Sequence, residues 1–432
     1  ATTARRRSLR FDDAVVDFLE EKFGGSQLSA GFENIGVSQH IPFGNGHAQH
    51  RAYFLSGERQ ERFKGDSQIG RDLQGEIEDC RDAVHIAFGQ FPRFGVGHIK
   101  GGMAHISILT SLFYGALSGS AAATVAAVGG IMIPAMEKEG YPKEFATAVN
   151  STSGCLGIMI PPSIPLILFG STAGVSISDL FVATIVPGIL IGCALMLVSY
   201  VICVRRKYGK TVARAKFAEM FKALYEAKWA IMVPVIVLGG IYGGITTPTE
   251  AGAIAVVYAL FVEVFITRSM TRRLFLEIIK SSVRINASIF LVVASATALG
   301  QIMMYYNLSA AVLDTIMSIS TSKVVIMTLI LIVLLILGTF LEAAAIIMIV
   351  TPLLLPVVNA IGVDPVHFGI IMLTSFAVGG QTPPVGMTLF VGASIAKISI
   401  ERLSIASIPY ILTLVVMLFT IAFVPQISLC LI

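Results

Sequence analysis

The sequence predicts an all-α polytopic membrane protein made of two inverted repeats, each with a re-entrant helical hairpin and a Pro-Pro-broken transmembrane helix. Three observations lead to this prediction: an apolar composition, an internal repeat at a constant offset, and matched proline breaks within apolar runs. The chain has 432 residues, of which 55% are hydrophobic and 13% are charged, and its mean hydropathy is +0.80. Soluble domains carry roughly 25% charged residues, so this composition is typical of several membrane spans.

The charged residues are concentrated near the start of the chain. Residues 1–100 contain 27 of the 58 charged residues (31 basic and 27 acidic) and five of the seven histidines. Between Phe145 and Cys203 the only charged residue is Asp179, and none follows Arg402. The net charge of +4 fits basic cytoplasmic loops next to a lipid bilayer, so we expect no nucleic-acid partner.

Residues 1–95 differ from the rest of the chain. They are polar, contain mixed charges and no stretch long enough to span a membrane, and the first methionine of the chain is Met103. Three interpretations stay open: a cytosolic accessory domain, a basic transit-like leader, and a stretch translated out of frame. We favour the last, which predicts a poorly ordered, non-native segment.

The internal repeat has an offset of 222 residues and needs no gaps. Its strongest matches are glycines and prolines, which mark backbone geometry rather than mere apolarity. These matches are Pro134 with Pro356, Gly140 with Gly362, Gly157 with Gly379, Pro161-Pro162 with Pro383-Pro384, Gly170 with Gly392, and Pro187 with Pro409. The repeat divides the chain into a first copy at residues 96–204, a connecting region with two spans at 205–284, and a second copy at 285–432.

The positions of the basic residues predict that the two copies have opposite orientations, because basic loops stay in the cytoplasm. In the first copy, a hairpin between Gly101 and Met136 starts and ends beside lysines. In the second copy, a hairpin from Val324 to Val357, broken at Gly338, is followed by a loop that holds Asp364 and no base. Inverted repeats with broken helices are the sequence pattern of alternating-access transporters.

The helix breaks provide candidate ion-binding residues. Proline removes a backbone donor and frees carbonyl groups, which need a partner inside the membrane. Sodium is a hard cation that such carbonyls and nearby hydroxyl or amide oxygens can bind. The candidates are Ser118, Ser120, Asn150, Gly157, Gly338, Gly379 and Thr382. Close packing is the alternative role for the two serines, and a hydrogen bond to a neighbouring helix is the alternative for Asn150.

The same breaks provide candidate residues for binding an organic anion. The exposed N-terminus of the half-helix after each break favours negative charge. Candidates are Pro161, Pro162, Ser163, Pro383, Pro384 and Glu342. A second acid, Glu250, also follows an apolar run, but Thr247-Pro248-Thr249-Glu250 predicts a capped helix start in preference to an ion site.

Several short motifs give the chain a family resemblance from residue 96 to residue 432. They are Gly101-Gly102-Met103-Ala104-His105, Ser118-Gly119-Ser120-Ala121, Ile160-Pro161-Pro162-Ser163-Ile164-Pro165, Gly239-Gly240-Ile241-Tyr242-Gly243-Gly244, Thr247-Pro248-Thr249-Glu250-Ala251 and Thr382-Pro383-Pro384-Val385-Gly386. With them the chain resembles the large permease subunit of tripartite ATP-independent periplasmic (TRAP) transporters of the dicarboxylate type. The family's apolar first part has no counterpart in residues 1–95.

The resemblance implies sodium-driven uptake of organic acids, such as C4-dicarboxylates or sugar acids, across the bacterial inner membrane. It also implies two partners, a periplasmic substrate-binding protein and a small membrane subunit, and an elevator-type movement of the hairpins. Sodium would be the coupling ion, and no other cofactor is expected. The resemblance does not name the substrate.

Three other functions compete with this one. A self-sufficient ion-coupled carboxylate transporter would need no binding protein, and a channel would need no sodium gradient. A membrane-embedded enzyme is disfavoured, because the spans contain no catalytic triad, zinc motif or carboxylate pair. We therefore expect no catalytic residue in this chain.

Overall fold

The computed structural model describes residues 99–209 and 217–432. The prediction for residues 1–95 lies outside these described residues. Within the described ranges, all regular structure is helical and there is no β-strand. This agrees with the predicted all-α class, and seven of the described helices are long and apolar enough to cross a membrane.

The first half contains six helices. They are α1 (Gly102–Ser118), α2 (Ala121–Lys138), α3 (Lys143–Ser153), the single turn α4 (Leu156–Met159), α5 (Ile164–Ala173) and α6 (Ile177–Arg206). A left-handed Gly119 separates α1 from α2, with φ of 59°, a conformation that glycine adopts without steric cost. The chain is non-helical again around Pro161-Pro162, so the predicted crossing from Glu144 to Ser171 is broken there as expected.

The middle of the chain contains four helices and a short π-helical turn. They are α7 (Phe217–Tyr242), α8 (Pro248–Phe261) with the π-helical turn Val262–Ile266, α9 (Arg272–Tyr305) and α10 (Leu308–Ile319). Thr247 and Glu250 form a reciprocal capping box at the start of α8, which confirms the predicted capped helix start. The basic stretch from Thr267 to Arg284 begins as an irregular segment, and α9 runs through the rest of it from Arg272 onward; Arg, Leu, Glu and Lys favour a helix there.

The second half contains the last six helices. They are α11 (Lys323–Phe340), α12 (Ala343–Ala360), α13 (Pro365–Gly379), α14 (Met387–Ala396), α15 (Ile400–Phe423) and the single turn α16 (Gln426–Leu429). The predicted break of the second hairpin, from Gly338 to Glu342, is found at its last two residues: Gly338 lies inside α11, and the chain leaves the helix at Leu341 and Glu342. Glycine lowers helix propensity without breaking a helix that is packed, and Gly338 is buried.

Helix boundaries in the two halves repeat at the offset found in the sequence. Helix α2 (Ala121–Lys138) corresponds residue for residue to α12 (Ala343–Ala360), and α3 begins at Lys143 where α13 begins at Pro365. Both Pro161-Pro162 and Pro383-Pro384 have cis peptide bonds. The repeat is therefore a repeat of local structure as well as of sequence.

The core lies where helices of one half pack against helices of the other half. Helix α5 of the first half packs against α12 of the second, and α14 of the second half packs against α2 and α3 of the first. Glycine allows this close packing: a Cβ on Gly392 would lie 1.9 Å from the Ser151 hydroxyl oxygen, and one on Gly369 would lie 2.6 Å from the Phe169 ring. This packing brings the break after α4 and the break after α13 close to each other.

Candidate functional site

A cavity of about 140 Å³ lies between the tips of the two helical hairpins. The α1–α2 tip contributes Gly119 and Ser120, and the α11–α12 tip contributes Thr339, Leu341 and Glu342. The segments after the two Pro-Pro breaks complete the wall, which includes Ile164, Pro165, Val385, Met387 and Thr388. Both hairpins and both breaks therefore meet at one place.

Four helix N-termini border this cavity. The first residues of α2 (Ala121 and Ala122), α5 (Ile164 and Pro165), α12 (Ala343 and Ala344) and α14 (Met387 and Thr388) all line it. The first N–H groups of a helix have no partner within the helix, and each N-terminus acts as roughly half a positive charge. This arrangement favours an anion in the cavity.

At the first hairpin tip, side-chain hydroxyl groups form hydrogen bonds with backbone groups at the start of α2. The Ser120 hydroxyl caps α2 by accepting from the Ala123 N–H at 3.4 Å. The Thr124 hydroxyl donates to the Ser120 carbonyl oxygen at 2.9 Å and lies 2.7 Å from the Ser118 hydroxyl. Three hydroxyl groups and one carbonyl are thus gathered at this tip, between Ser118 and Thr124.

The predicted residue Gly157 belongs to the same cluster. A Cβ there would lie 2.3 Å from the Thr124 hydroxyl oxygen and 2.6 Å from the Ser120 carbonyl oxygen. The structure therefore brings Ser118, Ser120 and Gly157 together, as three of the predicted sodium candidates require. Thr124 joins them although the sequence analysis did not single it out.

In the second half, Gly338, Gly379 and Thr382 come together. Gly338 of α11 and Gly379 of α13 are in backbone contact, since a Cβ on Gly379 would lie 2.6 Å from the Gly338 carbonyl carbon. The Thr382 N–H donates to the Gly379 carbonyl at 2.9 Å, and the Thr382 hydroxyl donates to the Val378 carbonyl at 2.8 Å. This cluster has fewer hydroxyl groups than the first one.

Glu342 is the N-cap residue of α12 and lines the cavity. Its side chain is exposed, makes no capping hydrogen bond, and has neither an ion pair nor a hydrogen-bond partner among the residues the structure describes. It occupies the repeat position of Ser120, which caps its own helix. A carboxylate without a partner therefore stands beside four helix N-termini.

The Pro-Pro residues themselves lie behind the cavity wall or outside it. The carbonyl oxygen of Pro162 packs against the first tip, where a Cβ on Gly119 would approach it to 2.9 Å. Pro161 is buried, whereas Pro383 and Pro384 are exposed. Ser163 is 1% exposed, and its hydroxyl has no hydrogen-bond partner within the described part of the chain. These residues shape the site, and the residues that follow them line it.

Asn150 does not join either cluster. Its side-chain N–H donates to the Ser107 hydroxyl of α1 at 2.8 Å, while its carbonyl oxygen packs against Gly129 of α2. The amide therefore links α3 to the first hairpin, and its buried Oδ1 has no hydrogen-bond partner among the described residues, so both interpretations of Asn150 stay predictions.

Two threonines were missed as candidates. Thr124 lies one helical turn after Ser120, and Thr388 donates from its hydroxyl to the Gly380 carbonyl at 3.1 Å on the cavity wall. The spacing of four residues from Ser120 to Thr124 places both on one helix face and could have identified Thr124. Thr388 has no such signal, because the irregular segment from Thr382 to Gly386 decides where it lies.

Comparison with known families gives a match over most of the chain. Residues 84–427 match the family described as tripartite ATP-independent periplasmic transporter, DctM component. The match begins somewhat before residue 96, where we place the start of the resemblance. It includes both hairpins and both Pro-Pro breaks.

Individual relatives agree with this family. The chain is 44% identical to an isethionate TRAP transporter permease protein from Oleidesulfovibrio alaskensis over 77% of its length, and it spans only about half of that relative (52%). It is 38% identical to a sialic acid TRAP transporter large permease from Vibrio cholerae over 79% of this chain and 80% of the relative. A C4-dicarboxylate TRAP transporter large permease from Pseudomonas aeruginosa is 36% identical, with 78% of each chain covered.

These relatives are named as transporter permeases rather than enzymes, which agrees with the expectation that this chain catalyses no reaction. The seven apolar helices and the family match make it a multi-pass membrane protein. The chain belongs to the DctM component family of the tripartite ATP-independent periplasmic transporters.

Proposed function

We propose that this chain is the permease subunit of a sodium-coupled secondary transporter, which imports an organic acid anion across the bacterial inner membrane. The observation that carries the proposal is the cavity with four helix N-termini and the unpaired carboxylate of Glu342. Isethionate, sialic acid and C4-dicarboxylate appear in the names of its relatives, and we infer an organic acid anion of this range as the substrate.

The charges around the cavity support coupling to a cation. Four helix N-termini together stabilise a bound anion by about 1–4 kcal/mol. The carboxylate of Glu342, which the sequence placed among the candidates for binding the anion, would instead repel the anion by about 3 kcal/mol at a separation of about 6 Å and an effective dielectric constant of about 20, so we propose that it binds the cation. These opposing effects are similar in size, so the anion gains little unless a cation enters with it. Hydroxyl and carbonyl oxygens at both breaks are the ligands that a hard cation prefers.

Contacts at the helix ends support the inverted arrangement of the two halves. Arg402 at the start of α15 lies 4.0 Å from Glu144 at the start of α3. At the other end of α15, the Ala422 carbonyl lies 3.3 Å from His367 at the start of α13. Helices α3 and α13 therefore begin at opposite ends of α15, although they are equivalent in the repeat.

The hairpins would then enter from opposite faces as re-entrant elements. Gly101, which precedes α1, packs against Cys203 near the end of α6, and Lys323 at the start of α11 bonds to the Gly362 carbonyl after α12. Tyr141, which follows α2, lies against Gly209 just after α6, so both ends of the first hairpin pack near the end of α6, while both tips line the shared cavity. This geometry suits alternating access, with the hairpins and broken helices moving as a block.

The decisive experiment measures uptake of a radiolabelled organic acid into proteoliposomes that contain the chain, a small TRAP subunit and a binding protein. We expect uptake with an inward sodium gradient and little with a proton gradient alone. Equal uptake under both gradients would contradict sodium coupling. Downhill flux without any cation gradient, at a rate unaffected by sodium, would indicate a channel.

Omitting components of the same assay tests the proposed partners. Uptake should fall to background without the periplasmic binding protein, and it should also fall without the small membrane subunit. Full uptake without the binding protein would favour a self-sufficient carboxylate transporter. In the proposed division of the chain, residues 96–204 and 285–432 contain the moving hairpins and broken helices, and residues 205–284 connect them.

A further inference from the structure

A second cavity, of about 390 Å³, lies at the far end of the second half, away from the cavity between the hairpin tips. Its walls come from the start of α11, the turn before α13, the end of α15 and the single turn α16. Three polar side chains border it, those of Lys323, Asp364 and His367, and the remaining lining is mainly apolar. The hairpin tips do not contribute to it.

The His367 ring has one nitrogen atom that can accept a hydrogen bond but has no donor among the described residues. Its ring is 2% exposed, and Nε2 lies 3.3 Å from the Ala422 carbonyl oxygen. A carbonyl can only accept, so Nε2 carries the hydrogen and Nδ1 of the neutral ring is left as an acceptor. No hydrogen-bond partner of Nδ1 exists among the described residues, although Nδ1 is buried. Such an unsatisfied buried group indicates a missing donor.

The two charged side chains on the rim are held apart. The Lys323 ammonium donates to the Gly362 carbonyl oxygen at 3.0 Å. Asp364 uses Oδ1 to cap α13, accepting from the Val366 and His367 N–H groups at 2.8 Å and 3.1 Å. Lys323 and Asp364 form no salt bridge with each other in the described part of the chain. A cation and an anion thus face one cavity without neutralising each other.

At the equivalent position of the first half, side chains fill the space that the cavity occupies in the second half. The repeat partner of His367 is Phe145, which stacks with Tyr141 at 6.0 Å and meets Tyr208 edge-on at 5.3 Å. The partner of Lys323 is Gly101, where a Cβ would lie 3.0 Å from the Cys203 sulfur. The fold therefore does not require a cavity at this position, and the polar cavity is a feature of the second half.

We propose that this cavity binds an ammonium–phosphate zwitterion, the chemistry of a phosphoethanolamine group. The ammonium would lie near the Asp364 carboxylate, with the His367 ring in the cavity wall beside it, while the phosphate would pair with Lys323. The cavity mouth favours a lipid as the source of this group. Val324 is 58% exposed and Phe423 is 39% exposed, both on apolar helices that can span the membrane, so acyl chains have a surface beside the cavity.

The experiment compares lipid retention by the purified full chain in two kinds of nanodisc. One contains phosphatidylethanolamine with phosphatidylglycerol, and the other contains phosphatidylglycerol alone. Native mass spectrometry after detergent exchange counts the retained lipid. We expect retained phosphatidylethanolamine, with a loss of about threefold in Lys323→Gln and in Asp364→Asn, since a partly exposed charge pair contributes little to binding. Asparagine also caps helices, so Asp364→Asn keeps the start of α13 intact.

Lys100→Gln is the matched control, because Lys100 lies one residue before the repeat partner of Lys323, beside the filled position. It should retain lipid like the unaltered chain. Unchanged retention in both cavity variants would overturn the proposal, and so would equal retention of phosphatidylglycerol alone. Specific binding of free phosphoethanolamine in phosphatidylglycerol discs, lost in Lys323→Gln but without retained phosphatidylethanolamine, would support the zwitterion site and assign it to a soluble ligand.

Discussion

The two hairpin tips occupy equivalent positions in the repeat but satisfy their helix starts differently. In the first tip, Ser120 caps its own helix and shares its carbonyl with Thr124. In the second tip, Glu342 stands at the same position with an exposed carboxylate and no capping bond. A helix start that is satisfied by its own residues needs no ligand, whereas an unsatisfied one does. Under the proposed function, we therefore expect the substrate-dependent and cation-dependent chemistry mainly at the second tip.

Substitution of the closely packed glycines behind the tips should reduce uptake and stability more than the other variants do. We expect Gly379→Ala to reduce uptake at least tenfold and to lower stability by about 1–3 kcal/mol, because its Cβ would meet the backbone of Gly338. Gly157→Ala should cost less, since part of its obstruction is the Thr124 side chain, which can rotate. Uptake and thermal unfolding in detergent measure both changes.

Gly252→Ala is the matched control for these variants. Gly252 lies inside α8 with open space around its missing Cβ, so alanine there should stabilise the helix by up to about 1 kcal/mol. If Gly379→Ala behaves like Gly252→Ala in both measurements, the close contact of α11 with α13 is not needed for transport.

Variants of the two tip residues themselves should give the next largest effect, which is measured as the sodium requirement for uptake. Glu342→Gln should raise the sodium concentration for half-maximal uptake about tenfold or more, because the carboxylate has no other partner to replace the bound cation. Ser120→Ala should raise it about threefold, since the backbone carbonyl of Ser120 remains in place. Glu401→Gln, at the start of α15 and exposed, is the control and should leave the sodium response unchanged. An equal response of Ser120→Ala and Glu342→Gln would remove the proposed difference between the tips.

The sequence predicted most of the fold because its signals are local or repeated. Matches of glycine and proline at a constant offset located both Pro-Pro breaks, and Thr247 with Glu250 located the start of α8. Gly338 was expected to begin a helix break, but it lies inside α11, before the chain leaves the helix at Leu341. A glycine can interrupt a helix or allow another helix to approach closely, and only the packing against Gly379 shows that it does the second.

The site was predicted less completely for a similar reason. Ser120, Gly338 and Glu342 line the cavity, whereas Asn150 links α3 to the first hairpin and Thr388 went unnoticed. Chain connectivity predicts which segments are broken, but it does not predict how the elements of one half pack on the other. The meeting of four helix N-termini depends on that exchange and so required the structure.

A smaller effect is expected at Thr382. Thr382→Val removes a hydroxyl next to the Gly338–Gly379 contact, and we expect the sodium requirement for uptake to rise about threefold. Thr413→Val is a close control, because the Thr413 hydroxyl makes the same bond to the carbonyl four residues earlier, also at 2.8 Å, on an exposed face of α15. If both variants change stability and neither changes the sodium requirement, the Thr382 hydroxyl has a packing role.

The smallest effect is expected at Glu250, a second glutamate at the start of an apolar helix. Unlike Glu342, its carboxylate accepts from the Thr247 N–H at 2.8 Å and from the Thr247 hydroxyl at 2.9 Å. Thr247→Ala should therefore lower stability by about 1 kcal/mol and leave the sodium requirement unchanged, because a capping box is satisfied without a ligand. Glu250→Gln should change both even less, since glutamine can complete the same box. A tenfold rise in the sodium requirement of Glu250→Gln, matching that expected for Glu342→Gln, would show that a capped glutamate also binds the cation, and lack of a cap would then not identify the site.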